Sequence, residues 1–112
     1  MKEMLKEILS ILDKGEPHYE LYSWGGMPYY VYRDNLYEKL SELVKKLSSW
    51  GDLRHSEVIK KPVEELCLSE IATLLRFIVG GERFCDGHIS IYIDNGKLKR
   101  LLVRLNDIVI DK

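Results

Sequence analysis

The sequence contains no glutamine and a single threonine, whereas lysine and glutamate are abundant. Side-chain amides are thermally labile and charge networks stabilise proteins more at high temperature, so this composition is typical of a thermophile. No apolar run approaches the roughly 20 residues that a membrane-spanning helix needs, which argues against a membrane protein. The net charge of -1 gives neither the basic excess of many nucleic-acid-binding proteins nor an acidic tail.

Cysteine is scarce as well, because Cys67 and Cys85 are the only two in the chain. The first four residues alternate in charge instead of forming the basic and then apolar run of a secretory leader. We therefore expect reduced thiols and a cytoplasmic location.

Hydrophobic periodicity predicts a mainly α fold. A chain of 112 residues has the length of one domain, residues 1–112, with one hydrophobic core. Apolar side chains recur at helical spacing in segments 2–14, 35–50, 62–67 and 69–79, and again after Gly96. We expect about five helices packed as an orthogonal bundle, with an extended aromatic segment between the first two long helices.

The aromatic segment carries six rings between positions 19 and 32. Gly25-Gly26 could form a two-residue hairpin turn, because glycine adopts positive φ without strain. Pro28 lacks a backbone N–H and would confine any strand here to an edge. We interpret the segment as irregular or weakly paired, with rings that cover one end of the helical core. A shallow ligand or peptide cleft formed by the rings is the alternative.

Segment 89–102 admits two structures. Ile89, Ile91 and Ile93 alternate with more polar residues, and the Asn95-Gly96 that follows is a strong hairpin signal. After Gly96, however, the leucines recur at helical spacing. We therefore favour two helices, with Asn95-Gly96 ending the first.

A short motif after segment 69–79 carries a resemblance to a known family. It reads arginine, phenylalanine, cysteine, an acidic residue and glycine, here Arg83, Phe84, Cys85, Asp86 and Gly87. Together with Gly96, Arg104-Leu105 and the upstream proline-tyrosine segment, it resembles a prokaryotic family catalogued as domain of unknown function 6508. The chain departs from the pattern at Glu82, where we expect an arginine. The resemblance implies a small, mainly helical cytoplasmic protein and supplies no activity.

Cys85 and His88 are the candidates for chemistry. They lie about one helical turn apart, so a thiolate–imidazolium pair is geometrically feasible. A nucleophile also needs an orienting group, and Asp86 would point about 100° away from Cys85 on a helix. A zinc site could recruit Cys67, Cys85 and His88, with His55 or His18, but a structural site needs paired ligands at short spacing on both sides, and only Cys85 and His88 come close to this. We interpret Cys85 as a core residue and expect no enzyme activity, no metal and no cofactor.

Two further residues of the motif have structural interpretations. Arg83 and Asp86 lie one helical turn apart and could form an ion pair that holds a short helix against its neighbour. Gly87, which we place inside this helix, would then mark close contact between helix backbones.

One basic face, on the last helix, is formed by Lys97, Lys99, Arg100 and Arg104. A helix-turn-helix arrangement in front of it could imitate a DNA-binding motif. The second helix of that arrangement carries no Arg, Asn or Gln in its body to read base edges, so we favour a solvated surface.

The sequence therefore predicts a class of function but no reaction and no identified ligand. We expect a non-enzymatic interaction module with an unknown protein partner, and nucleic-acid binding through the basic face is the alternative. A homodimer is a further option, because Met1, Met4 and Ile11 widen the apolar stripe of the first helix. The candidate binding residues are Arg83, Cys85, Asp86, His88, Lys97, Lys99, Arg100 and Arg104.

Overall fold

The structure is a computed structural model that describes residues 2–14, 17–47, 58, 60–83 and 87–110. Within these residues the chain forms five α-helices and one β-hairpin. Their bounds are α1 Lys2–Leu12, β1 Tyr19–Trp24, β2 Met27–Tyr32, α2 Leu36–Lys46, α3 Leu68–Gly80, α4 His88–Asp94 and α5 Lys97–Ile110. Short 3-10 turns lie at Arg33–Asn35, Val63–Glu65 and Gly81–Arg83. The predicted mainly α fold with an extended aromatic segment is confirmed.

The helices enclose one core of aliphatic side chains. α1 packs against α2 and α5, and α3 packs against α2, α4 and α5. The predicted apolar stripes supply fully buried residues from all five helices, among them Leu5, Ile8, Leu36, Leu40, Leu43, Ile71, Leu75, Ile89, Leu98, Leu101 and Leu105. Ile11 belongs to this core and Met4 packs against it. The fold therefore already uses apolar surface of α1 that we predicted for a second subunit.

The aromatic segment is a regular β-hairpin. β1 and β2 pair antiparallel along their whole length, starting with Tyr19 opposite Tyr32. Gly25 and Gly26 form the turn with φ of +59° and +83°. Two positive φ values are typical of a type I′ turn, whose twist matches that of the strands it joins. The prediction of an irregular or weakly paired segment is therefore wrong, because this turn aligns the two strands for regular pairing.

Asn95-Gly96 separates two helices, as predicted. The Asn95 N–H donates to the Ile91 carbonyl oxygen at 3.1 Å at the end of α4, and Gly96 follows with φ of +79°. Asn95 Oδ1 accepts the N–H of Lys97 at 2.9 Å. This bond satisfies a donor in the first turn of α5 that has no partner within the helix. The hairpin alternative for segment 89–102 is therefore wrong.

α3 is the central helix, and a buried carboxylate holds its first turn. Glu70 accepts the N–H of Cys67 at 3.0 Å and pairs with Lys61 at 2.6 Å. The Lys61 ammonium, followed by the Cys67 N–H, lowers the pKa of Glu70 to about 2.

Among the described residues, neither α3 nor any other helix combines the length and apolar character that crossing a bilayer requires.

Candidate interaction site

The Glu82 carboxylate, between α3 and α4, joins three parts of the chain. Its Oε2 accepts the N–H of Gly87 at 2.8 Å, and its Oε1 accepts the N–H of Ile89 at 2.9 Å. The Tyr32 hydroxyl, at the end of β2, donates to the same Oε1 at 2.8 Å. A carboxylate is favoured here because the first N–H groups of a helix lack partners within the helix and carry a partial positive charge.

Two glycines allow the close packing around this carboxylate. A Cβ at Gly81 would lie 2.3 Å from His88 Nδ1, and a Cβ at Gly87 would lie 2.4 Å from the Tyr30 ring. Gly87 also has φ of +87°, which residues with a side chain rarely adopt. The prediction that Gly87 lies inside a helix is wrong, because Gly87 precedes α4. The group that it contacts closely is a ring of the hairpin and not a helix backbone.

Three tyrosines attach the hairpin to α4. Tyr32 accepts the N–H of Ser90 on its hydroxyl oxygen at 3.2 Å, in addition to its bond with Glu82. Tyr19 donates its hydroxyl to Asp94 at 2.8 Å, and this hydrogen bond raises the pKa of Tyr19. The Tyr30 ring is the third contact, against the backbone before α4. Because side chains alternate along a strand, these three tyrosines share one face of the hairpin, the inner face.

The outer face of the hairpin consists of the residues that alternate with them, and its described members are Glu20, Tyr22, Tyr29 and Val31. The rings of Tyr22 and Tyr29 stack with their centroids 5.6 Å apart. Their exposed fractions are 44% and 39%, and that of Val31 is 45%. The Glu20 carboxylate pairs with Arg33 and accepts the Tyr22 hydroxyl. The outer face therefore presents apolar area and one ion pair to solvent.

The arrangement of helices around Gly87 and Gly96 agrees with the resemblance seen in the sequence. A model of the family of unknown function DUF6508 matches residues 2–111. The chain belongs to DUF6508. No curated protein and no solved structure matches the chain significantly. The DUF6508 description names no activity, so functional conclusions depend on the geometry of the chain itself.

The candidates predicted around Cys85 divide into two groups in this DUF6508 chain. Cys85, Asp86 and the side chain of Arg83 lie outside the described residues. His88 is half-buried, its Nδ1 lies 2.9 Å from the carbonyl oxygen of Ile78, and two aromatic rings meet its ring edge-on. Across the described ranges, no three His, Cys, Asp or Glu side chains are grouped to hold a metal ion. The contacts of His88 are those of a packing residue.

The predicted basic face of DUF6508 helix α5 is largely paired within the chain. Three of its four cations have partners, which are Asp13 for Lys99 at 2.5 Å, Glu64 for Arg100 at 2.8 Å and the carbonyl oxygen of Leu66 for Arg104 at 3.1 Å. The hydrogen bond that Arg100 donates to the Glu64 carboxylate lowers the pKa of Glu64. Lys97 is half-buried at the start of the helix. Cations that already face carboxylates offer less positive potential to phosphates than unpaired ones.

Glu82 and Tyr32, two of the side chains that hold the hairpin and α4 together, were not among the residues predicted from the sequence. Tyr32 lies 50 positions before Glu82, and no local pattern predicts such a contact. The one available signal was the departure from the DUF6508 pattern, an acidic residue in place of the expected arginine. A carboxylate just before a predicted helix is a candidate acceptor for its first N–H groups.

Proposed function

We propose that this DUF6508 chain is a non-enzymatic protein-interaction module and that the β-hairpin is its binding element. The observation that carries the proposal is the outer face, where Tyr22, Tyr29 and Val31 remain 39–45% exposed. Tyrosine is enriched in protein interfaces because its ring supplies apolar area and its hydroxyl supplies a hydrogen bond.

The outer face has no role in packing the helices. None of its described side chains belongs to the core or packs against it. Among the described side chains, those of the inner face attach the hairpin to α4, and a two-stranded hairpin is only marginally stable by itself in water. The outer-face rings do not stabilise the five packed helices, whereas the hairpin that carries them depends on those helices. Such exposed apolar rings are best explained by a protein surface that covers them.

Two other features fit a binding role in the cytoplasm. His88, one member of the candidate catalytic pair, contacts the Ile78 carbonyl and aromatic rings, which suits packing better than proton transfer. Cys67 is a free, exposed thiol, and such thiols persist in reducing compartments.

Site-specific photo-crosslinking tests the proposal. Benzoylphenylalanine replaces Tyr29 in the full chain in living cells, and in a matched control it replaces Val103, an α5 residue that is 43% exposed. We expect protein adducts at position 29 and far fewer at position 103. Equal yields at the two positions, or no adduct at position 29 in a correctly folded chain, would overturn the proposal.

Nucleic-acid binding is the second candidate. The observation in its favour is an open groove of about 500 Å³ along α5, whose rim carries Lys99, Arg100 and Arg104. The intrachain partners of these cations weigh against it. A gel shift of duplex DNA at low salt, lost as salt rises, would favour this candidate, and the absence of a shift would remove it.

A further inference from the structure

The hydrogen-bonding pattern of the hairpin shows which backbone N–H and C=O groups point away from the opposite strand. The Arg33 N–H donates to the carbonyl oxygen of His18 at 2.9 Å, just outside the first strand pair. Bonded and non-bonded pairs alternate in an antiparallel ladder, so positions 20, 22 and 24 are also bonded to β2. Tyr19, Leu21 and Ser23 therefore direct their N–H and C=O groups away from β2.

These groups form an uncovered strand edge. The hairpin is a two-stranded sheet, and within the described ranges no third strand pairs with β1. Leu21, in the middle of this edge, is 58% exposed and is the most exposed large apolar residue among those described. An open edge with an apolar centre is a template for pairing with another strand.

The edge of β2 is less suited to pairing. In the same hydrogen-bonding pattern, the backbone groups of β2 that point away from β1 are those of Pro28, Tyr30 and Tyr32. Pro28 has no N–H to donate to a further strand, and proline is a common device that protects an edge. Pairing is therefore favoured at β1.

From these observations we infer that β1 pairs with β1 of a second copy of this chain, antiparallel and centred on Leu21. The two hairpins then form one four-stranded sheet. The inference rests on the proposed function, in which the hairpin is the binding element, and it names a second copy of the chain as the partner at the β1 edge.

The charge pattern of β1 favours a second copy in this register. When Leu21 faces Leu21 of the partner subunit, Glu20 faces Tyr22 of the partner subunit. Within its own chain, the Glu20 carboxylate already accepts a hydrogen bond from a tyrosine hydroxyl. A register moved by one position toward the N-terminus on each strand would instead place the two Glu20 carboxylates opposite each other, and like charges at such positions are destabilising. Only the register centred on Leu21 also places the two leucines opposite each other.

Charge complementation at Leu21 tests the edge and the register together. Leu21→Lys and Leu21→Glu each place like charges opposite each other at the two-fold axis, whereas a mixture of the two variants places lysine opposite glutamate. Like-charge contacts cost several kcal/mol, and each 1.4 kcal/mol is tenfold in affinity. In analytical ultracentrifugation we expect a wild-type dimer at micromolar concentration, a dissociation constant raised at least about 100-fold in each variant alone, and a restored dimer in the mixture.

Controls separate a lost interface from a lost fold. Leu21 lies on the surface, so both variants should match the thermal unfolding midpoint of the wild type at dilutions where the wild type is monomeric, since dimerisation itself raises the midpoint. Val103→Lys, on α5 and 43% exposed, should leave the dimer intact. A wild-type chain that stays monomeric across the micromolar range, or a dimer that survives Leu21→Lys, overturns the inference. If that monomer still forms adducts with another protein at position 29, the proposed function stands while this inference fails.

Discussion

The helical body and the β-hairpin of this DUF6508 chain are stabilised in different ways. In the body, residues such as Leu40 and Ile71 are fully buried, and burial of aliphatic surface supplies most of the favourable free energy. In the hairpin, the described side chains are half-buried or exposed, and hydrogen bonds from Tyr19 and Tyr32 attach it to α4. The body therefore folds by its core, whereas the hairpin depends on the body and leaves its outer face exposed.

The largest effect should come from the core. Leu40→Ala removes a fully buried side chain and should lower the free energy of unfolding by about 3 kcal/mol, because it leaves a cavity. Val31→Ala, on the outer face, should change it by less than about 0.5 kcal/mol. Urea denaturation of both variants measures the difference. Similar losses would mean that the two regions are not stabilised differently.

A smaller effect is expected where the hairpin meets the backbone before α4. Gly87→Ala should cost about 2 kcal/mol, since it combines a strained positive φ with displacement of the Tyr30 ring. Gly96→Ala has a similar φ of +79° and no atom near the added Cβ, so it measures the backbone strain alone. Thermal melting should place Gly87→Ala below Gly96→Ala. Equal midpoints would contradict close packing against the ring.

The Glu82 hydrogen bonds come next. Glu82→Ala leaves the N–H groups of Gly87 and Ile89 without their acceptor and should cost about 1.5 kcal/mol, whereas Tyr32→Phe removes one hydroxyl and should cost about 1 kcal/mol. Because the two side chains are bonded to each other, the double variant should lose less than the sum. Additive losses in a double-mutant cycle would show that the hairpin and α4 are not coupled through this pair.

A last effect lies in the body and is confined to acidic pH. The pKa of Glu70 is lowered from 4.5 to about 2 in the folded chain. Its contribution is therefore complete above about pH 4.5 and is lost as the pH falls toward about 2. Glu70→Gln should flatten the decline of unfolding free energy in that window, and Glu38→Gln, an exposed residue of α2, is the control. An unchanged acid profile in Glu70→Gln would contradict the Lys61 pairing.

Two glycine-containing dipeptides show what local sequence can predict. Gly25-Gly26 and Asn95-Gly96 are both hairpin signals, yet only the first forms a hairpin. The flanking residues decide the outcome, because Leu98, Leu101 and Leu102 repeat at helical spacing after the second dipeptide and bury one stripe. Periodicity therefore predicted the positions of the five α-helices, but the short helix predicted over 62–67 is wrong, because only a 3-10 turn forms there, at Val63–Glu65.

The contacts of the candidate site were not predictable in the same way. Glu82 receives its donors from Tyr32, Gly87 and Ile89, and the first of these lies far away in the chain. Close packing at Gly87 was predicted, but Gly87 was expected inside a helix and in contact with another helix backbone. The local sequence is compatible with a helix, and only the positive φ of Gly87 excludes it. Exposure of the outer face also depends on tertiary structure, since tyrosines in a short strand pack equally well inward or outward.

Pro28 has a consequence for how large an assembly of this chain can become. If two hairpins join through β1, each outer border of the resulting sheet is a β2 strand that carries this proline. A third chain would then meet a border that lacks one of its N–H donors, so addition should stop at two copies instead of continuing into a fibril.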